Sequence, residues 1–74
     1  MNYDENKVDD VVLALLTLTL HDDYRAWKGH DWDVLDRLFE KGMIFDPKNK
    51  NKSIEFTPEG LEKAQRLFVK LFGK

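Results

Sequence analysis

The apolar positions of this chain change period along its length, and each change marks a new element. Val8, Val11, Val12, Leu15, Leu16 and Thr19 recur at the i, i+3, i+4, i+7 spacing of a helix that buries one stripe. Asp4, Glu5, Asp9 and Asp10 put negative charge near its amino end, where the helix dipole favours it. Leu13 and Leu20, seven apart, fall on a second face, so the helix is apolar beyond one stripe and needs further cover. The interval HDDYRAWKGHDW breaks the period. There Asp22 or Asp23 can cap a single helical turn from Tyr24 to Lys28, with Gly29 ending it. Asp31 then caps a helix over Trp32 to Lys41, apolar at Val34, Leu35, Leu38 and Phe39 and closed by Gly42.

Beyond Gly42 the period drops to two. Met43 to Asp46 and Ser53 to Thr57 read as short strands: Ile54 and Phe56 alternate with Ser53, Glu55 and Thr57, and Pro47, Asn49 and Asn51 supply the turn between them. Thr57, Pro58 and Glu59 start a last helix, with an N-cap oxygen, a proline whose missing donor costs nothing and an early acid. Its stripe is Leu61, Ala64, Leu67, Phe68, Leu71 and Phe72. The pattern predicts one domain over 1–74, mainly α with a small β-hairpin (α+β), in the order α, short α, α, β, β, α.

With 74 residues, such a chain buries only about 60% of the surface its unfolded form exposes. Self-association is a natural supplement. There is no cysteine for a disulfide or thiolate site. The acidic start lacks the basic and apolar regions of a signal peptide, and the apolar run Val11 to Leu20 falls well short of the roughly 20 residues needed to span a bilayer. The expectation is a cytoplasmic protein without membrane contact. No glycine-rich phosphate loop, nucleophile motif or helical pair of histidines at i, i+4 points to catalysis, so no enzyme activity and no cofactor are expected. His21, Asp22, Asp23, His30 and Asp31 have metal-ligand chemistry, but the histidines are nine apart in an irregular segment. No metal site is expected, and His21 suits the end of the first helix.

Charge divides the chain. Residues 1–47 carry five bases against eleven acids, a net of −6, whereas residues 48–74 carry seven against three, a net of +4. Lys48, Lys50 and Lys52 alternate with asparagines at the hairpin tip, able to hold phosphates without reading sequence; the plainer role is to protect a sheet edge. Arg25, Lys28 and Arg37 can assist them on a nucleic acid. Yet the open face of the helix after Asp31 mixes Asp33, Asp36 and Glu40 with Arg37 and Lys41, and carboxylates repel a polyanion. Tyr24, Trp27 and Trp32 form the densest aromatic cluster, readable as plugs for the space left by a shortened second helix or as a binding surface. A protein-binding surface would use Tyr24, Trp27, Asp33, Asp36 and Glu40. A dimer surface would use Leu13, Leu20, Val69, Leu71 and Phe72.

The stretches DWDVLDRLFEKGMI and TPEGLEKAQRLFVKLF resemble the second half of winged-helix regulators that read RL…KGLI before the wing and LTPEG after it. Across nearly its whole length, through YRAWKG, DWD..DRL..KG.I and DPK.K.KS, the chain is similar to a family of small bacterial proteins of unknown function. The resemblance implies a winged-helix-like fold and transfers no catalytic residues. The favoured reading is a non-enzymatic interaction or regulatory module, homodimeric, with a protein partner. The alternative is a DNA- or RNA-binding transcriptional regulator acting through its lysine-rich wing.

Overall fold

A computed structural model describes residues 2–74. Helix α1 (Glu5–Leu16) continues into a 3-10 turn (Thr17–Thr19); strand β1 (Arg25–Trp27), helix α2 (Trp32–Glu40), strand β2 (Ser53–Glu55) and helix α3 (Pro58–Phe72) follow. The fold is α+β: three helices around a small antiparallel sheet, as the pattern predicts. The molecule measures only 31 × 31 × 19 Å, one thin layer on another. Leu13 and Leu16, Val34, Leu35 and Leu38, Ala26, Ile44, Ile54, Phe56 and Ala64 make one buried cluster to which every element contributes. The most extensive packing is of α1 against α3.

Local signals set the helix ends where the sequence puts them. The Asp4 carboxylate accepts from the N–H groups of Asn6 (3.0 Å) and Lys7 (3.2 Å), and Asp31 accepts from Val34 N–H (3.3 Å). At the end of α2, Gly42 takes φ 77°; its N–H bonds Phe39 O, and Met43 N–H bonds Leu38 O. This pair of bonds is a Schellman closure. Thr57 Oγ1 accepts from Gly60 N–H (3.0 Å) at the start of α3.

The interval after α1 departs from expectation. Tyr24 to Lys28 is not a helical turn: Arg25, Ala26 and Trp27 form β1, antiparallel to β2 in the register Arg25↔Glu55, Ala26↔Ile54, Trp27↔Ser53. One inward residue is enough to make it a strand, because Ala26 is fully buried while its neighbours face outward. Nor do Asp22 and Asp23 cap anything. They sit at φ 50° and 71° in the tight turn that lets His21 and Arg25 exchange backbone hydrogen bonds (2.8 and 2.9 Å). Since the left-handed region costs a residue with a Cβ about 1–2 kcal/mol, Asp23→Gly should stabilise the fold by roughly 0.5–1 kcal/mol once glycine's entropy is offset. Urea denaturation measures this, and a loss of stability would mean that the aspartate side chain supports the turn.

The sheet's partners also differ from a simple hairpin. β2 runs between β1 and the segment around Ile44, which is reduced to one bridge, Ile44↔Phe56, with Phe45 N–H to Glu55 O (2.9 Å) and Thr57 N–H to Met43 O (3.1 Å). On α1 the buried stripe is rotated from the predicted one: Asp9, Leu13 and Leu16 point inward with Ala14, while Val11 is exposed. This corrects the dimer surface. Leu13 lies in the core and Leu20 is half-buried against it, since α1 packs most extensively on α3 and also on α2.

Candidate functional site

The end of the sheet carrying the wing gathers most of the exposed chemistry. Strand alternation puts Arg25 and Trp27 on the outer face, opposite buried Ala26. Trp27 is 51% exposed, and its indole stacks on the His21 ring with centroids 4.4 Å apart. His21 Nδ1 lies 2.9 Å from Thr19 O, and the Trp27 backbone N–H donates to Thr19 Oγ1 (3.0 Å), so the 3-10 turn holds the His21 ring and the main chain of Trp27. Trp32, at the start of α2, is 45% exposed. The indoles therefore do not plug a hole in the core. The missing helix leaves no hole, since β1 fills its place.

Lys28 joins these rings to the wing. Its N–H bonds Lys52 O (3.0 Å), its Nζ lies 5.9 Å from the Trp32 ring centroid, and the same Nζ donates to Asn49 O (3.2 Å) and Oδ1 (3.1 Å). The wing is built rather than loose. Asp46 Oδ1 accepts from Lys48 N–H (2.9 Å), Asn49 Oδ1 from Asn51 N–H (2.9 Å), and Pro47 is buried beneath them. This leaves the side chains of Lys48, Lys50 and Lys52 exposed, and among the described residues neither they nor Lys28 forms an ion pair. Four ammonium groups without a carboxylate partner among the described residues thus lie on or beside this loop, and one of them, Lys28, sits against an open indole.

The other two bases considered for nucleic acid are committed elsewhere. Arg25 pairs across the strands with Glu55 (3.2 Å) and lies over the Tyr24 ring. Arg37 holds Asp9 through Nε (3.0 and 2.9 Å) and NH2 (2.8 Å) and reaches Glu5 through NH1 (2.8 Å); Lys41 Nζ joins at 2.8 Å from Asp9. Asp9 is 1% exposed. Burial pushes its carboxyl up, but hydrogen bonds from Arg37 and Lys41 and their positive charges outweigh that and hold it below the ordinary carboxylate range. The Arg37 guanidinium is raised in turn, chiefly by its bond to Asp9. This network clamps α1 to α2. It is structural, and its acid was predicted only as a partner of the helix dipole.

Of the residues considered for a protein surface, Tyr24 lies at the opposite end of β1 from the wing, with Phe45, Pro58 and Leu61 around a shallow depression. Asp33 and Glu40 are exposed on α2, whereas Asp36 is half-buried with Oδ1 lacking a hydrogen-bond partner among the described residues. Val69, Leu71 and Phe72 are exposed on α3. His21 does not end the first helix but bridges Arg25 beyond the 3-10 turn; the sequence shows Asn49 and Phe39 only as a turn residue and a helix-stripe position, and the open ring of Phe45 was not singled out. Phe45 had a signal: once Ile44 points inward, period-two alternation turns Phe45 outward. The His21–Trp27 stack had none, because it depends on a turn between residues six apart.

The family profile of a domain of unknown function, DUF6429, matches residues 4–74. The chain belongs to this DUF6429 family. It is similar to the uncharacterized protein y4hR of Sinorhizobium fredii (strain NBRC 101917 / NGR234), 57% identical over 72 residues, 97% of each chain. No solved structure matches the chain. Among the described residues of this DUF6429 protein, no helix is long and apolar enough to cross a membrane, and no group of three or more His, Asp or Glu side chains is placed to hold a metal ion.

Proposed function

We propose that this protein is a non-enzymatic interaction module that works as a homodimer, joined through the outer face of α1 and α3. The observation that carries this reading is the apolar surface left open there. Val11, Leu67 and Leu71 floor a groove of about 340 Å3 rimmed by Lys7, Asp10 and Lys70, and Val69, 70% exposed, and Phe72 stand open elsewhere on α3. A second copy suits this face. The molecule exposes 5222 Å2, against about 4,800 Å2 for a typical monomer of 8.8 kDa, so association removes surface that the thin fold cannot hide. Within one copy Asp10 already pairs with Lys63 (3.5 Å), which leaves Lys7 and Lys70 as the charges at the groove's rim.

In such a dimer the winged-helix-like half, with its sheet end and α2, stays free to meet a partner. The acids of α2 favour a basic protein segment there, whereas duplex DNA in the manner of a recognition helix is disfavoured by Asp33, Asp36 and Glu40. Light scattering during size exclusion tests the dimer. The expected result is twice the chain mass, a Tm that rises with protein concentration, and a folded monomer for the double variant Val69→Asp, Leu71→Asp. A single-chain mass at every concentration would exclude it.

A further inference from the structure

The end of the sheet beside the lysine-rich loop combines exposed indoles with lysines that carry no ion pair among the described residues. Trp27 and Trp32 are each about half exposed, and neither indole N–H finds an acceptor among the described residues. Lys28 lies against Trp32 and is held to the loop by Asn49, its N–H bonds Lys52 O next to the Trp27↔Ser53 pair, and Lys48, Lys50 and Lys52 follow along that loop, all four without carboxylate partners among the described residues. Of the nearby acids, Glu55 neutralises Arg25, Asp31 and Asp46 turn towards the backbone N–H groups of Val34 and Lys48, and none of them, nor exposed Asp33, pairs with these lysines. Positive charge and open aromatic faces therefore coincide on one edge.

We propose that this edge binds single-stranded nucleic acid, with phosphates on Lys28, Lys48, Lys50 and Lys52 and unpaired bases stacked on Trp27 and Trp32. Each part has a physical reason. Lysines on a fixed turn follow a phosphate backbone without reading sequence, and indoles offer flat faces to any unstacked base. The Trp27 ring is already held flat by His21, so a base meets a preorganised platform. An acidic polypeptide would satisfy the lysines and leave the indoles unused. A duplex keeps its bases stacked internally and brings the carboxylates of α2 towards phosphates. The inference goes beyond the dimer reading and does not depend on it, because Val69 and Leu71 lie on α3, away from these residues.

The test is direct, since Trp27 and Trp32 are the only tryptophans in the chain and their emission reports this edge alone. Full-length protein is titrated with an oligothymidylate and an oligouridylate of about 16 nucleotides, with the matching duplex, and with polyglutamate as a polyanion without bases. The expected result is quenching by the single strands with micromolar affinity at about 50 mM salt, weakening as salt rises. Trp27→Ala should weaken binding roughly 5- to 100-fold while Trp27→Phe keeps most of it. Lys48→Ala, Lys50→Ala and Lys52→Ala together should lower the log–log salt slope by about 2. Because these side chains are exposed, unchanged far-ultraviolet circular dichroism is expected for every variant. No quenching at low salt, equal affinity for polyglutamate, tighter binding of duplex, or indifference to Trp27→Ala would each overturn the proposal. The Val69→Asp, Leu71→Asp variant should bind strands equally well per chain, so failure of the dimer and failure of this site are told apart.

Discussion

Replacing Gly60 by alanine should cost about 3 kcal/mol or more and lower Tm by at least about 12 °C, although alanine is the better helix former by about 1 kcal/mol. A Cβ at this position would land on the carbonyl oxygen of Met43, far inside contact distance, with the rest of that backbone close behind. Backbone cannot rotate away as a side chain can. The same carbonyl accepts from Thr57 N–H (3.1 Å) and lies 3.2 Å from Thr57 Oγ1, which is also 2.6 Å from Gly42 O, so the first turn of α3 is fastened to the loop after α2. A protein of 74 residues has a total stability of only about 4–11 kcal/mol, so the loss is a large share of it. Thermal and urea denaturation of Gly60→Ala measure it, with Gly29→Ala, whose added methyl meets nothing within 4 Å, as the neutral control. A Tm unchanged from the parent would mean that α3 does not approach Met43 so closely.

Asp9→Ala should destabilise by about 3 kcal/mol, the lower end of what removing one member of a buried ion pair costs, because Arg37 and Lys41 keep partial access to water. The effect carries a pH signature. The folded carboxyl is held below its ordinary value of about 3.9, so the unfolded chain binds the proton more readily. Its stabilisation is complete above the unfolded pKa and disappears as pH falls through the range below it. Asp9→Asn should therefore flatten the acid limb of the stability curve and bring variant and parent together towards pH 2. Urea midpoints from about pH 6 down to pH 2 test this. Parallel curves would show that the Asp9 charge contributes nothing.

The acid network also changes the meaning of the charge split. Much of the negative first half is spent internally: Asp4 and Asp31 cap helices, and Asp9 and Glu5 hold Arg37. The wing lysines have no such partners. A net of −2 for the chain thus conceals a free positive edge, and this edge is where the exposed indoles lie.

From sequence alone, the elements governed by local chemistry were legible. Three helices, the caps at Asp31 and Thr57, the acidic start of the first helix, the left-handed Gly42, the asparagine-built turn and the α+β class follow from period, capping and turn residues, which act over a few positions. What depends on residues distant in the chain was decided by tertiary structure. Pairing with β2 made Arg25–Trp27 a strand and turned Trp27 outward; a partner 28 residues away drew Asp9 into the interior and rotated the buried stripe of α1 so that Leu13 entered the core. Gly60 looked like an ordinary residue of a helix start until Met43 was brought against it. A period records which face of an element is apolar, but only packing decides what covers that face, and the exposed rings and free lysines at the wing are what packing left uncovered.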